Sequence, residues 1–115
     1  MNITIYHNPR CSKSRQTLQL LKDNNIEPMV IEYLQSPPSE QTLDKILTQL
    51  NMTPLELMRK KEAAFKENRL DNPELSRSEL ISAMVAHPIL IERPIVTTDH
   101  KAAIGRPPEN VLEII

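Results

Sequence analysis

The chain has 115 residues, with 14 basic against 15 acidic side chains and a formal net charge of −1. That length suits one compact domain burying about two-thirds of its unfolded surface, and the even charge balance argues against a nucleic-acid arm or a membrane-binding patch. A single cysteine excludes an intramolecular disulfide and a disulfide-stapled secreted scaffold. Residues 1–5 have no basic or long apolar leader character, and no apolar run nears the ~18 residues of a membrane helix. A reducing cytoplasm is therefore the expected compartment. With no Trp and one Phe, the core must be aliphatic.

Ile3, Thr4, Ile5 and Tyr6 read as a first strand, broken by Asn8-Pro9. A helix is expected over about residues 11–24, where β-branched residues are few, Leu18, Leu20 and Leu21 recur, and Asn24-Asn25 ends the run. Residues 29–34 read as a second strand, completing a right-handed parallel β-α-β unit. Ser36-Pro37-Pro38 stops it. Ser39 then caps a helix carrying Leu43, Ile46, Leu47 and Leu50 at helical spacing. Thr53-Pro54-Leu55-Glu56 is a capping box with proline at the first helical position, opening a short helix through Arg59. Residues 60–72 are highly charged and read as exposed helix and loop. Ser76 to Glu79 is a second capping box, opening a helix with Leu80, Ile81, Met84 and Val85 that His87-Pro88 ends.

A third strand starts at Ile95. Asp99-His100 makes a turn, and Ala102, Ala103 and Ile104 form a fourth strand antiparallel to the third, closed by the only glycine, Gly105. Pro107-Pro108-Glu109 starts a final helix with Val111, Leu112 and Ile115 on one face. The expected fold is α/β: a four-stranded mixed sheet in the order β-α-β then β-β-α, within a single domain 1–115, with a helical insertion over about 39–87. A monomer is expected, since no exposed apolar heptad or open strand edge is legible.

Chemistry concentrates in residues 7–15, His-Asn-Pro-Arg-Cys-Ser-Lys-Ser-Arg. Cys11 falls between a strand and the first turn of a helix. The first N–H groups of a helix have no internal partner, and the helix dipole puts partial positive charge there. Both favour a thiolate, lowering the pKa from about 8.5, and the same N–H groups can cradle an anion. Arg10, Lys13 and Arg15 add positive potential. The bland alternative is a small buried cysteine with no reactivity. In the C-x-x-S pattern Ser14 stands where a resolving cysteine would, so a second thiol must come from another molecule. His7 stabilises the thiolate, orients the loop, or caps the strand with no catalytic part. His87 reads as structural and His100 as exposed. No ligand spacing for a metal is present, so no metal site is expected.

The run from His7 to Leu18 resembles the first loop of the glutaredoxin-dependent arsenate reductases, which carry H-N-P-x-C-x-x-S-R-x-T-L. The likeness continues in Tyr33-Leu34 with Pro37-Pro38, in residues 56–60, in residues 87–96 and in Gly105-Arg106-Pro107, in the family's order. It is nearest to the short arsenate reductase-like proteins. The resemblance implies a thioredoxin-like fold, Cys11 as nucleophile, and Arg59, Arg93 and Arg106 as arsenate ligands. It also implies a backbone cradle from Ser12, Lys13, Ser14 and Arg15, and a cis peptide bond before Pro94. The reaction implied is reduction of arsenate to arsenite through a thiol–arsenate adduct, with glutathione as co-substrate, glutaredoxin as partner and no bound cofactor.

Taken singly, the arginines have bland alternatives. Arg59, followed by Lys60-Lys61, can be a solvated charge at a helix end. Arg93, between two apolar runs, needs an anionic partner. Two features depart from the family: Ser12 replaces a common glycine after the cysteine, and the polar tail of many members is missing. The alternative functions are a thiol oxidoreductase on another substrate, an Spx-like RNA polymerase-binding regulator, or a binding module without activity. Spx regulators commonly use a C-x-x-C switch, which Ser14 removes.

Overall fold

The computed structural model describes residues 2–115 and leaves Met1, part of the leader reading, outside the described residues. The chain divides into two compact units, one from residues up to 36 together with 93–115, the other from residues 37–92.

The first unit holds the sheet. Its elements are β1 (Thr4–His7), α1 (Ser12–Asp23), β2 (Met29–Glu32), β3 (Ile95–Thr97), β4 (Ala102–Ile104) and a closing 3-10 segment, Pro108–Ile114. The strand order is β2-β1-β3-β4. β1 runs parallel to β2, with Thr4 opposite Met29 and His7 opposite Glu32. It runs antiparallel to β3, with Tyr6 opposite Ile95, and β3 pairs antiparallel with β4. This is the thioredoxin-like arrangement, with β1 interior and aimed so that its C-terminal end delivers the chain to the start of α1. Ile3, Ile5, Leu21, Val96 and Val111 form the core of this unit, with Leu18, Ile26 and Ile114 packed against it.

Local chemistry accounts for the ends of these elements. Asn24 and Asn25 terminate α1: Asn25 takes a left-handed φ of 63°, and the Ile26 N–H folds back onto the Leu21 carbonyl at 3.0 Å. β2 stops at Glu32, two residues short of the expected end, because the N–H groups of Gln35 and Ser36 both turn back to the Glu32 carbonyl. β2 is also an outer strand with Met29 and Val30 exposed, an open edge the sequence did not reveal. The closing segment is a 3-10 rather than an α-helix, as suits so short a piece. Of the expected inner face, Val111 and Ile115 do pack on the core, joined by Ile114, while Leu112 is exposed.

The second unit is helical: α2 (Glu40–Leu50), α3 (Pro54–Leu57), α4 (Ala63–Glu67) and α5 (Arg77–Ala86). The Ser39 hydroxyl accepts the Thr42 N–H, and both expected capping boxes form, at Thr53 with Glu56 and at Ser76 with Glu79. α5 packs on α2 and α3. The buried side chains are Leu43, Ile46 and Leu47 of α2, Leu57 of α3, and Leu80, Ile81 and Met84 of α5. Past His87 the chain makes a 3-10 turn, Pro88–Leu90, and Ile91 bridges antiparallel to Met58. That pairing extends the inserted unit to residue 92 rather than 87. No helix among the described residues is long and apolar enough to cross a membrane.

Candidate active site

Cys11 is the N-cap of α1, with extended backbone dihedrals of −94° and 123°, and only 8% of its surface is exposed. The loop that delivers it is held mainly by Asn8. The Asn8 carbonyl accepts the Cys11 N–H at 3.0 Å, its side-chain Oδ1 accepts the Arg10 N–H at 3.0 Å, and its own N–H donates to Ser14 Oγ at 3.0 Å. Ser14 is fully buried, and its Oγ also lies 2.6 Å from His7 Nδ1. A buried hydroxyl bonded both to the Asn8 N–H and to the His7 ring fixes the end of β1 to the first turn of α1.

The sulfur carries no close side-chain capping bond. Burial alone would push the Cys11 thiol up. The Ser14 N–H, the hydrogen bond and charge of Arg93, and the Lys13 N–H together outweigh burial and hold it below the ordinary cysteine range. Arg106 adds a second guanidinium: its Nε donates to the Arg93 carbonyl at 2.8 Å and its Nη2 lies 3.6 Å from the Cys11 sulfur. Cys11, Arg93 and Arg106 are thus brought together within the first unit. The peptide bonds before Pro94 and Pro107 are both cis; the second was not anticipated.

Of the four residues expected in the backbone cradle, Ser12, Lys13 and Ser14 supply the first three N–H groups of α1. Arg15 does not belong with them. Its N–H makes the first helical bond, to the Cys11 carbonyl at 3.0 Å, and its guanidinium donates to the Pro9 carbonyl. His7 is held below its ordinary value by burial above all, with Glu32 opposing and Arg15 and Lys22 reinforcing the effect. Held there, the ring is mainly neutral at neutral pH, and a neutral imidazole has no charge to offer the thiolate. Of its anticipated roles, orienting the loop through Ser14 is the one this geometry supports.

Asn8 and Thr17 were not singled out from sequence. Thr17 is fully buried, donates to the Lys13 carbonyl at 2.8 Å and packs on Gly105. The available signal was Gly105, the only glycine in the chain. A Cβ there would lie 2.8 Å from Pro94 Cγ and closer still to Thr17 Oγ1, so only glycine fits between α1 and Pro94.

Arg59 lies in the second unit. The strand-like pairing fixes its backbone, its N–H donating to the Leu90 carbonyl at 2.7 Å, and its Nη1 meets Glu92 Oε1 at 2.9 Å. It is neither buried without a counter-charge nor the free solvated charge considered above. His100 is exposed. Among the described residues, no three His, Cys, Asp or Glu side chains group to hold a metal ion.

Comparison with known proteins gives a consistent picture. The ArsC family profile matches residues 6–114. The chain is 48% identical to an arsenate reductase of Haemophilus influenzae, covering all of both chains. It is 55% identical to the uncharacterised protein YfgD of Escherichia coli K12, over 98% of this chain and 96% of that one. The solved structure of an arsenate reductase from Vibrio cholerae superposes with a TM-score of 0.95 at 49% identity, over 100% of this chain and 98% of that one.

Proposed function

The chain belongs to the ArsC family, and on that premise we propose that it reduces arsenate to arsenite with Cys11 as nucleophile. One observation carries this beyond the family: a cysteine at a helix N-cap whose sulfur is faced by two guanidinium groups and held below its ordinary pKa. A thiolate beside fixed positive charge suits attack on a tetrahedral oxyanion, because the donors are in place before charge moves.

In the proposed cycle Arg93, Arg106 and the N–H groups at the start of α1 hold arsenate in line with the sulfur. Arg59 takes the third arginine role implied by the family resemblance. Guanidinium suits this task because it stays charged and offers a planar, bidentate fork. The thiolate forms a bond to arsenic as one oxygen, having taken two protons, leaves as water; arsenic remains pentavalent. The glutathione thiol replaces a second oxygen, which also leaves as water. A glutaredoxin thiolate then attacks the glutathione sulfur. The mixed disulfide forms, and the electron pair of the broken sulfur–arsenic bond stays on arsenic, which becomes trivalent. Hydrolysis frees arsenite and returns the Cys11 thiol. In sum, two thiols give up two electrons and become one disulfide, and arsenate loses one oxygen. Both reducing thiols are external because Cys11 is the only cysteine of the chain.

The test is arsenate-dependent NADPH oxidation coupled through glutathione, glutaredoxin and glutathione reductase. The parent should turn over. Cys11→Ser should lose all turnover, because a serine alkoxide is out of reach at neutral pH. Substantial activity in that variant would remove Cys11 from the nucleophile role. A silent parent with a reactive Cys11 would favour a thiol oxidoreductase acting on another substrate.

A further inference from the structure

The pairing of Arg59 with Glu92 is built with care on the backbone and loosely at the side chains. The Glu92 N–H donates to the Leu57 carbonyl at 3.0 Å, the Arg59 N–H to the Leu90 carbonyl at 2.7 Å, and Met58 bridges Ile91 between them. Both residues therefore start from fixed positions. The side chains meet at one point only, Nη1 to Oε1, with 25% and 28% of their surfaces exposed. Arg59 Nε is buried and has no hydrogen-bond acceptor among the described residues. A guanidinium gripped at one corner, with its Nε–H unsatisfied, is better matched by an acceptor that can take two of its donors.

The surrounding cleft, about 360 Å³, has Arg59, Lys60, Lys61, Glu56, Glu62 and Glu92 among its lining residues. Three basic and three acidic residues line it, so the cleft has no net positive charge with which to draw an oxyanion while Glu92 keeps its own.

We propose that Glu92 is a displaceable counter-ion for Arg59, holding the guanidinium by one donor until an oxyanion replaces it. Glu92 is then a positioning residue that sets affinity, and this rests on the arsenate reading above. A carboxylate and a tetrahedral oxyanion offer arginine the same acceptor chemistry, so the two compete for the same fork.

Glu92→Gln keeps the shape and an acceptor oxygen but removes the charge. Its dissociation constants for arsenate and for inorganic phosphate, which the enzyme cannot reduce, are compared with the parent's by calorimetry. Affinity for both should rise about two- to five-fold, the worth of a partly exposed ion pair, with KM for arsenate falling alongside and kcat little changed. In an Arg59→Gln background, adding Glu92→Gln should change neither constant, since the effect passes through Arg59. Equal or weaker binding by Glu92→Gln, the same gain without Arg59, or no binding to either protein would overturn the proposal. Phosphate binding is read whether or not arsenate is reduced, so a parent that gives no turnover counts against the function and not against Glu92.

Discussion

At the scale of single residues, the case rests on opposing effects at one sulfur. Burial favours the thiol, and N–H groups of α1 with the Arg93 guanidinium favour the thiolate and win. The fork geometry of Arg93 matters as much as its charge. Arg93→Lys keeps the charge but loses the planar donors, and hydrogen bonds to charged groups contribute about 1.5–3 kcal/mol. The expected outcome is a fall in kcat/KM for arsenate of about ten-fold or more, with Cys11 titrating higher than in the parent. Unchanged kinetics would remove Arg93 from the site. Cys11, Arg93 and Arg106 were all legible because a reactive residue type stood beside turn signals and family motifs. Asn8 and Ser14 as loop anchors were not, because their roles depend on hydrogen bonds closed across the strand-to-helix turn, which spacing does not encode. The neutral state of His7 was equally hidden, since it follows from burial.

At the scale of elements, capping chemistry was the most readable signal. Thr53 with Glu56 and Ser76 with Glu79 form their boxes as four-residue patterns, because every partner is local. Two ends were missed: β2 stops early at a local turn onto the Glu32 carbonyl that no turn residue announces, and residues 88–92 pair with the distant segment after α3. Gly105 belongs at this scale too, because it sets the distance between α1 and Pro94. Gly105→Ala should destabilise the fold by about 1–3 kcal/mol through overpacking against Thr17 and Pro94, read as a lower thermal midpoint. Since Gly105 has no positive φ, a midpoint equal to the parent's would mean that the packing yields freely.

At the scale of the whole chain, the succession of elements and the helical insertion were legible because hydrophobic periodicity and breakers alternate along the sequence, whereas the place of β1 between β2 and β3 depends on long-range pairing that periodicity does not encode. The division into two units at residues 36–37 and 92–93 places Arg59 and Glu92 on the inserted unit and Cys11, Arg93 and Arg106 on the sheet unit. The family match spans both, from residue 6 to residue 114. What unites these scales is a cysteine whose thiolate form the fold favours. The sign of its pH dependence follows directly: alkylating agents react with the thiolate, so the rate rises with pH through the Cys11 pKa. The most direct measurement is therefore the rate of Cys11 alkylation by iodoacetamide against pH, with an unfolded-chain control. The rate should reach its half-maximum at a lower pH in the folded chain than in the unfolded control, which should titrate as an ordinary cysteine. A folded-state midpoint at or above that of the unfolded chain would contradict the claim that this fold activates Cys11.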